Sequence, residues 1–349
     1  MNLRFESAIN PYGCSPRVVA AMQQFAESKD YRFYGDPTAE GLRRQLAEHF
    51  DLAPENFMVY NGSGEALKDL FLLQLVMKKG ALVAPYPSYE RFVDGGKKFA
   101  REFIEVPLDS KTWALPLDRL IETTKAAGTA LGMLSSPNNP TGNALLTEAD
   151  LAALLEGTPQ CLWVIDEAYA DYRGGSFAGL VKRFQNLVIL RTFSKAYGMA
   201  GLRVGYAITN PGISFIILQF RLPWAVNSMS LLAAETALAD RDHLREIVQV
   251  INNDVKTFHD ELVKFPSFKV YPTDANFFLI EVAGEKIKGL TEFLSQQNMT
   301  VRTRPDMPSH IRVTSLLPED NRALLEAFKN FGLWSAPQKA KKKVRFSAP

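Results

Sequence analysis

The stretch RTFSKAYGMAGLRVGY, Arg191 to Tyr206, sets one lysine in a loop of small residues between two apolar runs, LVIL before it and VGYAIT after it. That placement carries the amine of Lys195 to the mouth of a sheet. A loop lysine can simply be solvated, and Lys195 on its own leaves that reading open. The chemical reading is a Schiff-base lysine, an amine that condenses with a carbonyl once burial or nearby charge lowers its pKa. Thr192 and Ser194 place hydroxyls beside it and Arg203 a fixed fork of donors, the combination that holds a phosphate dianion. An amine for a carbonyl, next to a cup for a phosphate, suggests pyridoxal phosphate.

Four other segments carry residues suited to the same ligand. Gly62, Ser63 and Gly64 open a predicted helix, where bare N–H groups and the helix dipole favour an anion, although such a turn also serves sterics alone. Tyr86 and Tyr89 stand at the exit of the run ALVAPY, either as rim packing or against a flat ring. Asn138, Asn139 and Gly142 in SSPNNPTGN are what a tight turn needs. Asp166 directly follows CLWVI, where it either caps a helix or reaches a cationic ring nitrogen at the strand ends.

The elements that must position these residues read as α/β. Seven apolar runs between residues 57 and 209 (FMVY, ALVAP, REFIEV, ALGMLSS, CLWVI, LVILRT and VGYAIT) are mostly separated by helix-length segments. Near-continuous apolar strands imply burial on both faces, hence a mostly parallel seven-stranded sheet under helices. Ligands in such sheets bind in the loops beyond the strand ends, where every candidate falls. One intervening helix is predicted to bury Leu67, Leu70, Phe71 and Leu75 on one face, with Lys78 and Lys79 in its last turn. After PWAVN the pattern changes. A long helix with Leu244, Ile247, Ile251, Val255, Phe258 and Leu262 on one face precedes the short strands FKVYP, NFFLIEV, MTVRT and HIRVTS, a smaller α+β domain. The expected division is an N-terminal arm with part of the small domain at 1–35, a large domain at 36–240, a small domain at 241–334 and a disordered basic tail at 335–349.

Composition narrows the function. A formal charge of +2 is smaller than the contribution of the AKKKVR run near the C-terminus, so the folded body has no nucleic-acid footprint. No apolar run is long enough to span a membrane. Four scattered histidines and two distant cysteines, Cys14 and Cys161, form neither a metal site nor a disulfide framework, and the start lacks an export signal, so a reducing cytoplasm is expected.

Three segments together carry a resemblance: PNNPTG at Pro137 to Gly142, DEAY at Asp166 to Tyr169, and SKAYGMAGLRVGY at Ser194 to Tyr206. They resemble the class I/II aminotransferases of fold type I, most closely the histidinol-phosphate aminotransferase branch. INPYG, FYGDPTAEGLR, ANFFLIEV and IRVTSLLPEDN extend the likeness along nearly the whole chain. The resemblance implies that Lys195 carries the cofactor and shuttles the substrate proton, and that Asp166 pairs with the pyridinium nitrogen. By the same likeness Asn139 and Tyr169 hold the ring oxygen and Tyr86 stacks on the ring. Ser63, Gly64, Thr192, Ser194 and Arg203 form the phosphate cup. Arg312 matches the clamp on the substrate anion, with Arg302, or Arg304 in its stead, as a second arginine and Tyr12 as a further substrate contact. Tyr34 matches a residue that reaches a partner's site, which implies a homodimer with shared sites. The implied reactants are a phosphorylated or otherwise anionic amine and an oxoacid, 2-oxoglutarate. PWAVN and the SAINPYG opening lean instead toward threonine-phosphate decarboxylase, a relative that also takes a phosphorylated substrate.

Overall fold

The computed structural model describes residues 2–77, 80–283 and 286–333. In chain order β1 (Leu3–Arg4), α1 (Pro16–Ser28), α2 (Glu40–Phe50), β2 (Phe57–Tyr60), α3 (Ser63–Met77), β3 (Leu82–Tyr86), α4 (Glu90–Phe99) and β4 (Phe103–Pro107) come first. There follow α5 (Leu117–Ala126), β5 (Leu131–Ser135), α6 (Glu148–Gly157), β6 (Leu162–Asp166), α7 (Ala170–Arg173), β7 (Leu187–Thr192), β8 (Gly205–Thr209), α8 (Pro211–Leu218) and α9 (Ser228–Ala239). The remainder is α10 (Arg241–Leu262), β9 (Phe268–Val270), β10 (Phe277–Val282), α11 (Ile287–Gln296), β11 (Met299–Thr300), β12 (Arg302–Thr303), β13 (His310–Thr314) and α12 (Pro318–Asn330).

Each of the seven apolar runs becomes one strand of a single sheet, in the order β2-β8-β7-β6-β5-β3-β4. Strand β8 runs antiparallel to both its neighbours and the other pairs are parallel. Helices on both faces bury the strands other than the edge strand β4, which is why their sequences are apolar without alternation, whereas β4 leaves Glu105 exposed. The chain steps outward from β3 to β4, then returns to the other side of β3 with β5. The strand order therefore reverses between β3 and β5, and a crevice opens beyond their C-terminal ends. The loops that leave β3, β5, β6 and β7 carry Tyr89, Asn139, Asp166 and Lys195 toward it.

Helix α3 departs from its expected face. Leu67, Leu70 and Phe71 are buried, but the stripe continues through Gln74, and Leu75 is exposed. A step of four from Leu70 lands on residue 74, so the 3.6-residue repeat carries Leu75 off the core face. Lys78 and Lys79 lie outside the described residues.

The small unit is an antiparallel sheet, β12-β13-β10-β9, against which α10 lays Ile251, Val255, Phe258 and Leu262. Each fully buried leucine or phenylalanine there contributes roughly 2 kcal/mol of hydrophobic stabilisation. The run MTVRT is two strands rather than one: β11 pairs in parallel with β1, while β12 pairs with β13. The arm predicted at 1–35 also divides. Phe5 and Ala8 join the small unit's core, whereas α1 packs on α9 and Val18 enters the large unit's core. The tail at 335–349 lies outside the described residues. Among the described residues no helix is long and apolar enough to cross a membrane.

Candidate active site

A cavity of about 380 Å³ lies where the strand ends of the large unit meet the small unit's sheet. Lys195 is its one lysine among the lining residues. Its Nζ donates to the carbonyl of Ala8 at 3.1 Å and to that of Ser7 at 3.4 Å, and lies 5.3 Å from the centre of the Tyr169 ring. Burial, helped by the charges of Arg312 and Arg203 and opposed by Asp166, lowers its pKa to about 8. The amine thus has a substantial neutral fraction near neutral pH, as a nucleophile requires.

Asp166 ends β6 opposite Ser135 of β5, both lining the cavity. Its Oδ1 accepts the Ala168 N–H at 2.9 Å. Burial pushes its carboxyl up to about 6, with the Ala168 bond and the Lys195 charge pulling the other way. Such a carboxyl fits a cationic nitrogen, which would draw it back down. Tyr169, buried beside it, is pushed up to about 12, first by burial.

The residues expected to cradle a phosphate come from two loops. The N–H groups of Ser63 and Gly64 begin α3 and so lack partners inside the helix. Gly62 sits at φ +81°, a backbone conformation that a side chain would strain, and a Cβ there, 2.2 Å from Arg203 Nη2, would push that guanidinium aside. Arg203 Nη1 lies 3.5 Å from Ser194 Oγ and donates to the Ala200 carbonyl at 3.2 Å. Thr192 Oγ1 accepts the Ser194 N–H at 3.0 Å. A carbonyl-bearing, phosphorylated pyridine fits this set: amine, buried carboxylate and anion cradle face one space.

The substrate end is built by the small unit. Arg312 is 8% exposed, donates to Asn139 Oδ1 at 2.6 Å and to the Glu6 carbonyl at 2.5 Å, and its Nε has no hydrogen-bond partner among the described residues. Arg304 holds both carboxylate oxygens of Asp306, at 2.9 and 2.6 Å, and the Ser88 carbonyl at 2.6 Å. Arg302 pairs with Glu90.

The structure thus brings together Ser63, Gly64, Asn139, Asp166, Tyr169, Thr192, Ser194, Lys195, Arg203, Arg302 and Arg312 around one cavity. Tyr86 and Tyr12 do not line it. The Tyr86 hydroxyl instead donates to the Asp306 carbonyl at 2.9 Å, and Tyr89 is the aromatic at the cavity wall. Tyr89 is the N-cap of α4 and makes no side-chain capping bond. Tyr12 donates to Asp254 Oδ2 at 2.6 Å on α10, which takes it away from the substrate end. Tyr34 is 86% exposed and leans on Trp224, with ring centres 5.1 Å apart. Glu90 and the Ser7 and Ala8 carbonyls were not anticipated.

Comparison with known proteins accords with this geometry. The profile of the family Aminotransferase class I and II matches residues 2–328. A histidinol-phosphate aminotransferase of Symbiobacterium thermophilum is 35% identical over 326 residues, 92% of this chain and 88% of that one. The crystal structure of histidinol-phosphate aminotransferase from Sinorhizobium meliloti in complex with pyridoxal-5'-phosphate has the same fold, with a TM-score of 0.86 at 24% identity over 94% of this chain and 90% of that one. So has L-threonine-O-3-phosphate decarboxylase from Porphyromonas gingivalis, with a TM-score of 0.82 at 23% identity over 94% of this chain and 98% of that one. The family match spans both units and every residue around the cavity, and the chain belongs to the class I and II aminotransferases.

Proposed function

We propose that this enzyme transfers the amino group of a phosphorylated amine, of the histidinol-phosphate kind, to 2-oxoglutarate. Its cofactor is pyridoxal phosphate, which when bound supplies an electron-withdrawing ring to the substrate carbon. The observation that carries the reading is the presence of two arginine groups in one cavity. Arg203 stands at the glycine turn and Arg302, Arg304 and Arg312 stand on the small unit, joined at that end by Arg91 of α4, with Lys195 and Asp166 in the same space. One group suits the cofactor's phosphate and the other a substrate anion, which arginine forks hold well. Identity of 35% to a histidinol-phosphate aminotransferase supports the choice of amine.

In this reading Ser63, Gly64, Thr192, Ser194 and Arg203 anchor the phosphate. Asp166 would keep the ring nitrogen protonated, Asn139 and Tyr169 would hold the ring oxygen, and Tyr89 would supply an aromatic wall. Lys195 takes and returns the proton at the substrate's α carbon. Arg312 clamps the substrate anion.

Incubation with histidinol phosphate and 2-oxoglutarate should yield glutamate, and its absence with any phosphorylated amine would defeat the reading. The PWAVN and SAINPYG segments favour a second reading, decarboxylation. Release of carbon dioxide from phosphothreonine or phosphoserine, with no amine supporting glutamate formation, would put it first.

The active unit is a homodimer. Tyr31, Phe33, Tyr34, Leu222 and Trp224 are large apolar residues left exposed, several of them around the Tyr34–Trp224 contact, and such a patch suits a partner subunit. Tyr34 then serves the partner's cavity. Lys195→Ala and Tyr34→Phe chains, each weak alone, should on statistical exchange recover about a quarter of wild-type activity, because each mixed dimer regains one intact site. No recovery after verified exchange would argue against a shared site.

A further inference from the structure

Arg302 and Arg312 are Cα partners across the β12–β13 ladder, so their side chains leave the sheet on the same face, and both line the cavity. Like charges directly opposite one another repel unless each is compensated. The three arginines of this end are compensated differently. Arg312 is held by neutral oxygens, those of Asn139 and of the Glu6 backbone. Arg304 is buried and committed to Asp306 and to the Ser88 carbonyl. Arg302 instead meets a carboxylate from the other unit, Glu90, whose Oε1 also lies 3.9 Å from Arg304 Nε. Both members of this pair are partly exposed, Arg302 at 46% and Glu90 at 35%, so it can open without an empty core behind it. Glu90 is the first residue of α4, where the helix dipole favours a negative charge. That preference explains an acid at a helix start, but not its seat on an arginine inside the cavity.

We propose that Glu90 is a specificity-determining residue: a resident carboxylate that the substrate anion displaces from Arg302, and whose charge weakens binding of a dianionic phosphate ester more than that of a monoanionic carboxylate and so lets one end take both. The inference rests on the reading of Arg302 as part of the substrate-anion site. Either anion bears the same cost of parting Glu90 from Arg302, and that carboxylate, still beside Arg304, then repels a dianion about twice as strongly as a monoanion. A dianion engages Arg302 and Arg312 together and exceeds what it displaces. Since an aminotransferase takes its donor and its acceptor in turn at one site, Glu90 then sets how strongly phosphate-bearing and carboxylate-bearing partners are told apart.

The test uses the cofactor-loaded protein and two small probes without an amine, ethyl phosphate and propionate, titrated by calorimetry at fixed ionic strength. Wild type should hold ethyl phosphate the more tightly. Glu90→Gln keeps size and hydrogen bonding but removes the charge. It should tighten both probes, ethyl phosphate more, and raise the phosphate-to-carboxylate preference by up to about fivefold, the upper end for a partly exposed ion pair. Glu90→Asp should keep the wild-type preference. In turnover, Glu90→Gln should change KM with little change in kcat. An unchanged preference in Glu90→Gln, or weaker binding of both probes, overturns the proposal, the latter because Glu90 would then be supporting Arg302 rather than competing for it. Wild type that holds ethyl phosphate no better than propionate instead defeats the phosphate reading of the site itself.

Discussion

Replacing Lys195 with alanine is expected to lower turnover by about 10⁴-fold, near the upper range for losing a positioned general acid–base. The residue lines the cavity as its one lysine, so no neighbouring amine can take over. Borohydride treatment of the loaded wild type should fix a pyridoxyl mass on the peptide that carries Lys195, and the variant should gain none there. The pKa near 8 adds a pH signature. For an amine the neutral, nucleophilic fraction grows as pH rises, so capture of pyridoxal phosphate by protein stripped of cofactor should accelerate up to about pH 8 and then level. A pyridoxyl group found on another lysine, or more than about a hundredth of wild-type turnover in Lys195→Ala, would remove Lys195 from its assigned role.

Asp166→Ala should retain part of its cofactor, because the phosphate cup is untouched, yet lose turnover by about 100- to 1,000-fold, the usual cost of removing one preorganised electrostatic partner. Asp166→Asn should behave similarly. It keeps an acceptor for the Ala168 N–H, so a comparable loss assigns the effect to charge rather than shape. Carboxyl groups are anionic above their pKa, and a bound cation lowers that pKa further, so the acid limb of the wild-type rate profile should fall at or below about 6. Near-normal kcat in Asp166→Asn, with an unchanged melting temperature, would show that the ring nitrogen has no need of this carboxylate.

The large unit was legible because its signals are local. Mostly apolar runs of strand length read as strands of a covered sheet, and the loops that follow β2, β3, β5, β6 and β7 carry polar residues that line the cavity. Lys195, Asp166 and the Gly62 turn follow from that pattern. What escaped notice depends on contacts between distant segments. Tyr86 and Tyr89 look equivalent in sequence, and the difference between them is made by Asp306, whose carbonyl draws the Tyr86 hydroxyl out of the cavity. Tyr12 is likewise claimed by Asp254, and no periodicity links the two. The split of MTVRT into β11 and β12 was hidden for the same reason: a five-residue run gives no hint that its halves have partners in separate sheets.

The pairing of β1 with β11 has a consequence for how the protein is made. Leu3 leaves the ribosome nearly three hundred residues before its partner Met299. At about 5–20 residues per second the arm waits, unpaired, for roughly tens of seconds. Ser63, Asp166, Lys195 and Arg203 all precede residue 210, so the groups proposed to hold the cofactor can come together on the nascent chain. The Ser7 and Ala8 carbonyls settle on Lys195, and Arg312 on Asn139, only after the last strands have emerged. Competence to hold the cofactor and competence to hold the substrate are therefore reached at different moments of synthesis, in that order.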